Sequence, residues 1–350
     1  MAEFSIRRRD AFLFFVALVI NARRGSFRSL DLRFHLSTYG RSPMRLAEIS
    51  SCGSLRYGDL AVWSESRKGW IFVSDLLRGS GKKTKYLSVS LMLYDRRGRD
   101  EDVDISDIRA ALNNFENDKD AKIPIHKIGE DCSYCQLFSG PEKILCVGLN
   151  YADHAKEFGD PVPKEPTIFN KAPSAINYPG GAILLPEESK RVDYEGELVI
   201  VIGRRARRVS EETALDYVAG YCCGNDVSAR DWQKEKPSGQ WFLGKSFDSF
   251  APVGPYFVTA DEVGDPNSLK IETRINGETV QSSNTSNFIF NAQKLISYIS
   301  NVMTLHIGDL IFTGTPGGVG DARKPPVYLK RGDEVAVEIE RLGVLTNTVR

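Results

Sequence analysis

Cysteine is sparse. Six in 350 residues, scattered over positions 52, 132, 135, 146, 222 and 223, are too few for a disulfide scaffold and make reduced thiols the expectation. Net charge is missing too: 46 basic side chains face 46 acidic ones. The chain therefore lacks the long-range positive field with which nucleic-acid binders gather phosphates. No heptad, collagen-like or solenoid-length period runs through it, and no low-complexity tract interrupts it. No apolar run is long enough to cross a hydrocarbon core, so no membrane partner is expected. What is present is 41% hydrophobic residues, enough for a sizeable core. An enzyme or a small-molecule binder remains. Cys132-Ser-Tyr-Cys135 has the spacing of a zinc or redox pair, but no second pair stands at finger spacing and no βαβ pattern introduces it, so a structural use is expected.

Residues 1–43 differ from the rest. Arg7, Arg8, Arg9, Arg23, Arg24, Arg28, Arg33 and Arg41 stand against only Glu3, Asp10 and Asp31, the arginine-rich, acid-poor pattern of a mitochondrial targeting segment. The alternatives are a non-native extension, with Met44 beginning the working protein in the cytoplasm, and a secretory signal built on the apolar run Ala11 to Ile20. Residues 44–140 alternate short apolar runs, such as Leu60 to Trp63 and Trp70 to Ser74, with charged stretches, and read as a small strand-bearing accessory domain. Asp95 to Asp107 reads as exposed loop. Ser139-Gly-Pro141 punctuates the chain.

Residues 142–350 form the main domain. Strands are expected at Lys143 to Val147, Glu197 to Ile202, Ala219 to Cys223, Leu269 to Ile275 before an Asn276-Gly277 turn, Leu310 to Thr313, and Glu334 to Glu340. One helix is expected behind Ser210 as N-cap, ending at Gly220, and a second from about Asn291 to Met303 with Leu295, Ile299 and Val302 on one face. The fold class is a β-rich α+β, with helices packed outside a sheet or barrel.

Three constellations carry chemistry. In Asp193-Tyr-Glu195-Gly-Glu197, Glu195 and Glu197 lie two apart on a strand and point the same way. Two converging acids need a proton or a cation between them, unless both lie on a solvated strand end. Asp226, in Asn225-Asp226-Val-Ser-Ala-Arg230, adds a third acid where another strand ends. An all-oxygen set suits Mg2+ or Mn2+ better than zinc. Arg230, Gln233 and Lys245 follow, and cations near a divalent metal favour an anionic, oxygen-rich ligand such as a keto acid. Second, His154 and Glu157, three apart, are helix neighbours in which the carboxylate can orient the imidazole for water activation, or form an ordinary surface pair. Third, Thr313-Gly-Thr315-Pro316-Gly-Gly-Val-Gly320 fits neither nucleotide fingerprint. It lets backbone N–H groups and the Thr315 hydroxyl approach a ligand carboxylate, or it is a plain turn.

Taken together, Gly148 to His154 with Glu157, Asp193-x-Glu195-x-Glu197, Asn225 to Arg230 with Gln233, Gly244-Lys245-x-Phe-Asp248 and Thr313 to Gly320 resemble the fumarylacetoacetate hydrolase superfamily in unbroken order over 142–350. Val162-Pro-Lys-Glu-Pro166, Gln281-Ser-Ser-Asn284 and Arg323-Lys-Pro-Pro326 are similar to its domain-containing protein 2 branch. The resemblance implies a mixed β-roll, a homodimer, magnesium ligands at Glu195, Glu197 and Asp226, and a catalytic dyad of His154 and Glu157 on a lid that orders with ligand. It also implies an enolate-stabilising Lys245 and substrate contacts at Arg230, Gln233 and Thr315. Full-length fumarylacetoacetases carry a further metal-binding acid where this chain has Val147, which favours smaller substrates. The implied activity is divalent-metal-dependent enolate chemistry on small 1,3-dicarbonyl acids, first among them oxaloacetate enol–keto tautomerisation. Acylpyruvate hydrolysis or oxaloacetate decarboxylation is the alternative, and a non-enzymatic keto-acid binder comes third.

Overall fold

The computed structural model describes residues 44–50, 58–78, 89, 93, 105–158 and 161–350. The expectations for 1–43 and for a loop over 95–104 lie outside these residues. Among the described residues an eleven-stranded mixed sheet dominates, beside a four-stranded and a two-stranded one, which is the α+β class read from the sequence.

Strand Gly196–Ile202 lies inside the large sheet and is buried along its whole length. It pairs antiparallel with Val218–Asn225 on one side and with Leu310–Phe312 on the other. Its side chains alternate between two cores: Val199 and Val201 enter one, Leu198, Ile200 and Ile202 the other. Burial on both faces is why this stretch reads as an unbroken apolar run rather than an alternating one. Beyond Leu310–Phe312 the sheet continues through Ile144–Gly148 and ends on Thr167–Lys171. On the other flank Val218–Asn225 pairs with Ala251–Thr259, which pairs with Arg45–Ser50. Asp59–Ser64 and Gly69–Phe72 then follow, so strands preceding residue 140 extend the same sheet.

The four-stranded sheet contains the expected hairpin, Lys270–Ile275 with Glu278–Asn284. Its Asn276 and Gly277 have φ of 52° and 82°, the doubly left-handed pair that a two-residue hairpin turn requires. Helix Ala292–Val302 starts where expected, the Asn291 side chain accepting from Lys294 N–H. Leu295 and Ile299 are buried, but Val302, the last residue of the helix, is 69% exposed.

Two helical expectations are corrected. Residues Glu211–Tyr217 form a 3₁₀ helix with no side-chain cap from Ser210, and the chain is extended from Val218. Gly220 is thus not a helix terminator. A Cβ there would lie 2.1 Å from the Val258 carbonyl oxygen, so glycine permits close strand pairing. Ile105 to Asp107, read as loop, open the helix Ile105–Asn117, whose Ile108, Leu112 and Phe115 are buried at helical spacing. Cys132 and Cys135 are free and buried, and burial pushes the Cys132 thiol up to about 11.

Candidate metal and substrate site

Sheet register assembles the three acids. Gly224 lies opposite Glu197 and Asn225 opposite Gly196, so the next residue, Asp226, donates its N–H to the Glu195 carbonyl at 2.9 Å. The pleat turns Glu195 and Glu197 toward the same end of the sheet. One carboxylate oxygen from each of Glu195, Glu197 and Asp226 lies within 4.8 Å of the others, and all three residues are buried.

Positive charge around these acids is unevenly shared. Lys245 Nζ donates to Glu195 Oε2 at 2.7 Å and to Asp226 Oδ2 at 2.9 Å. Lys171 Nζ donates to Asp226 Oδ1 at 2.6 Å, and Arg230 Nη2 lies 2.7 Å from Glu195 Oε1. Among the described residues Glu197 is hydrogen-bonded only by the Gly314 N–H, at 2.8 Å, and feels Lys245 only through its charge. Burial works against every charge here. At Glu195 it is outweighed by Lys245 and Arg230, which hold the carboxyl well below its ordinary value. At Glu197 burial adds to repulsion by Asp226 and Glu195, and its pKa is pushed far up. A divalent cation among three oxygens would remove that repulsion, so the donor set fits a hard ion such as Mg2+ or Mn2+.

Beside the acids lies a cavity of about 130 Å³ where His154, Glu195, Arg230, Gln233, Lys245 and Thr315 converge. Six of the nine residues singled out in the sequence therefore meet in one pocket, with Phe169 and Trp241 among its walls. Val147, in place of the extra acid, also lines it. Helix Ala152–Phe158 carries the dyad, with His154 Nδ1 3.2 Å from Glu157 Oε2. Glu157 also accepts from Gly318 N–H, at 3.0 and 3.1 Å. Asp153, its neighbour on that helix, accepts from the Ser283 hydroxyl at 3.0 Å.

The glycine-rich loop has to approach closely. Gly318 has φ of 104°, and a Cβ there would lie 2.1 Å from the Val280 carbonyl oxygen, so only glycine fits. The Thr315 hydroxyl donates to Gly196 O at 3.0 Å and accepts from Gln281 Nε2 at 2.8 Å. Its proton is thus directed at the protein.

Sequence reasoning missed Lys171 and Gln281. Lys171 is 1% exposed at the end of the mixed strand Thr167–Lys171, where one lysine after Asn170 carries no signal of its own. Gln281 also accepts from Gly196 N–H at 3.0 Å, so its amide braces the backbone between Glu195 and Glu197.

This arrangement has known counterparts. Residues 143–350 match the family described as fumarylacetoacetate (FAA) hydrolase C-terminal. The chain belongs to that family. A bovine relative of this fumarylacetoacetate hydrolase family chain, named oxaloacetate tautomerase FAHD2A, mitochondrial, is 54% identical over 209 residues, 60% of this chain and 67% of its own. The fold matches a fumarylacetoacetate hydrolase from Exiguobacterium antarcticum with a TM-score of 0.71 and 35% identity, covering 88% of this chain and 99% of that one. It also matches fumarylpyruvate hydrolase from Pseudomonas aeruginosa in complex with Mn2+ and pyruvate, with a TM-score of 0.55 and 35% identity over 59% of this chain and 88% of that one.

Proposed function

We propose that this enzyme of the fumarylacetoacetate hydrolase family interconverts the enol and keto forms of oxaloacetate with Mg2+ held by Glu195, Glu197 and Asp226. The observation that carries the reading is the buried acid triad, with Glu197 short of positive charge, whose member Glu195 lines a small cavity together with Lys245, Arg230 and His154. The name of the bovine relative points to the same reaction. The cavity is below the roughly 300–1,000 Å³ typical of pockets for drug-sized ligands, which suits a compact diacid.

A divalent ion bound there supplies Lewis-acid polarisation of a keto oxygen. Lys245 stays charged, because Asp226 and Glu195 outweigh the burial that disfavours its ammonium. It thereby places a fixed positive charge where an enolate oxygen develops. His154 donates from Nδ1 to Glu157, leaving Nε2 as the basic nitrogen, and carries the proton to and from the carbon between the two carbonyls. Arg230 and Gln233 hold a carboxylate. The same His154 nitrogen turned on a water molecule would give acylpyruvate hydrolysis, the second reading, which the intact His154–Glu157 pair favours.

The enol absorbance of oxaloacetate should decay faster with enzyme and Mg2+ than with enzyme and chelator, with oxaloacetate as the only product by NMR. His154→Ala should slow that decay by about 10²- to 10⁴-fold, the usual worth of a positioned general base, at unchanged Mg2+ affinity. An unslowed variant would remove the proton-carrying role, and pyruvate as the main product would favour decarboxylation.

The assembly is proposed to be a homodimer. Trp241, Phe242 and Leu243, 38%, 43% and 45% exposed, form an apolar patch on a short helix, and the Trp241 ring meets Phe169 of the outer strand Thr167–Lys171 edge to face. Such a patch beside the outermost strand among the described residues invites burial against a second copy, and the mass in solution checks it. A mitochondrial location is supported by the relative's name and the arginine-rich residues 1–43. Import of the full chain, compared with one starting at Met44, tests it.

A further inference from the structure

Asp193 is fully buried and belongs neither to the acid triad nor to the dyad. It lies in the short strand Val192–Asp193, paired with Ser228–Ala229, which delivers Arg230 directly to it. Asp193 Oδ2 accepts from Arg230 Nε at 2.9 Å, with Nη2 at 2.8 Å. The same carboxylate accepts from Gly320 N–H at 2.8 Å and Asp321 N–H at 3.0 Å, gripping the loop whose Gly318 N–H bonds Glu157. Asp321 is in turn held by Arg191, Lys234 and Tyr328 at 2.8, 2.7 and 2.6 Å, so the grip is anchored from outside.

The Arg230 donors are thereby divided. Nε donates to Asp193 Oδ2, Nη2 lies at ion-pair distance from Asp193 and Glu195 without completing a hydrogen bond to either, and Nη1 donates to Gln233 Oε1 at 2.9 Å. Nη1 carries two hydrogens, and one bond to Gln233 leaves the second for the cavity that both side chains line. A guanidinium held by one edge presents the other in a fixed direction, as planar recognition of a carboxylate requires.

We infer that Asp193 is a positioning residue for substrate-carboxylate recognition: it holds Arg230 by the Nε hydrogen bond and the Nη2 ion-pair contact so that Nη1, beside Gln233, meets the carboxylate of a dicarboxylic substrate remote from its chelating end. This rests on the reading of Arg230 as a substrate contact. Without Asp193 the guanidinium keeps its charge and loses its direction, so the penalty falls on ligands with a second carboxylate.

Calorimetric titration of the Mg2+-loaded protein with malate and with lactate tests this. The two share a hydroxy-acid chelating end and differ in the second carboxylate. Wild type should prefer malate. Asp193→Asn should weaken malate by about tenfold or more, the scale of one charge-assisted hydrogen bond, and leave lactate within about twofold of wild type on the same scale. Equal weakening of both ligands, or an unchanged malate affinity, overturns the proposal. Should Asp193→Asn fail to fold, Asp193→Glu keeps the charge and displaces it by one methylene. The same selective loss is expected there, and an unchanged preference for malate overturns the proposal. A wild type that prefers malate, loses the preference on substitution and yet shows no tautomerase activity would remove the proposed reaction and leave the positioning role standing.

Discussion

Glutamine in place of Glu197 should abolish Mg2+-dependent activity while making the metal-free protein more stable. Glu197 is the triad member with no ion pair at hydrogen-bond distance among the described residues, and burial together with Asp226 and Glu195 outweighs the Lys245 charge and raises its pKa far above the ordinary 4.5. A folded state that holds this proton after the unfolded chain has lost it becomes less stable as pH rises above about 4.5. Glu197→Gln removes that loss, so its advantage in chelator is absent in acid and grows through neutral pH. With Mg2+ the order reverses, because wild type gains the free energy of an ion that binds only the folded chain and the variant has given up one ligand. A rate loss of about 10³-fold or more corresponds to several kcal/mol of charge stabilisation. Thermal unfolding in chelator and in Mg2+, alongside the tautomerase assay, reads all three. A variant that keeps the Mg2+-induced rise in Tm would remove Glu197 from the site.

Methionine in place of Lys245 should have the opposite effect on stability. Lys245 is 1% exposed and bridges Glu195 and Asp226. Deleting one member of a buried charge cluster leaves its partners uncompensated, at a cost of about 3–5 kcal/mol. Mg2+ partly replaces the missing charge, so the fall in Tm should be larger in chelator than in Mg2+. Activity should stay about 10²- to 10³-fold down even with saturating Mg2+, since the charge proposed to stabilise the developing oxyanion is gone. Equal destabilisation in the two buffers would show that Lys245 and the ion do not share the acids.

The triad was readable because period-two spacing ties Glu195 to Glu197 and because a strand ends at Asp226. That the three meet depends on the register of Val218–Asn225 against Gly196–Ile202, which an unbroken apolar run does not fix. The Asn276-Gly277 hairpin and the Asn291-capped helix were legible for local reasons, a turn with two left-handed residues and a cap. Failures came where tertiary pairing overrode local signals. Gly220 looked like a helix stop and is a close strand contact, and Lys171 and Asp193 have roles fixed only by partners far along the chain. The helix opening at Ile105 was obscured by the polar stretch before it, although Ile108, Leu112 and Phe115 carried its period.

An anomalous difference map from crystals grown with Mn2+ bears most directly on the proposed chemistry. One peak within bonding reach of an oxygen each from Glu195, Glu197 and Asp226, beside Lys245 and open to the cavity lined by His154 and Arg230, is the expected result. A peak elsewhere, or none at full Mn2+ saturation, would contradict it.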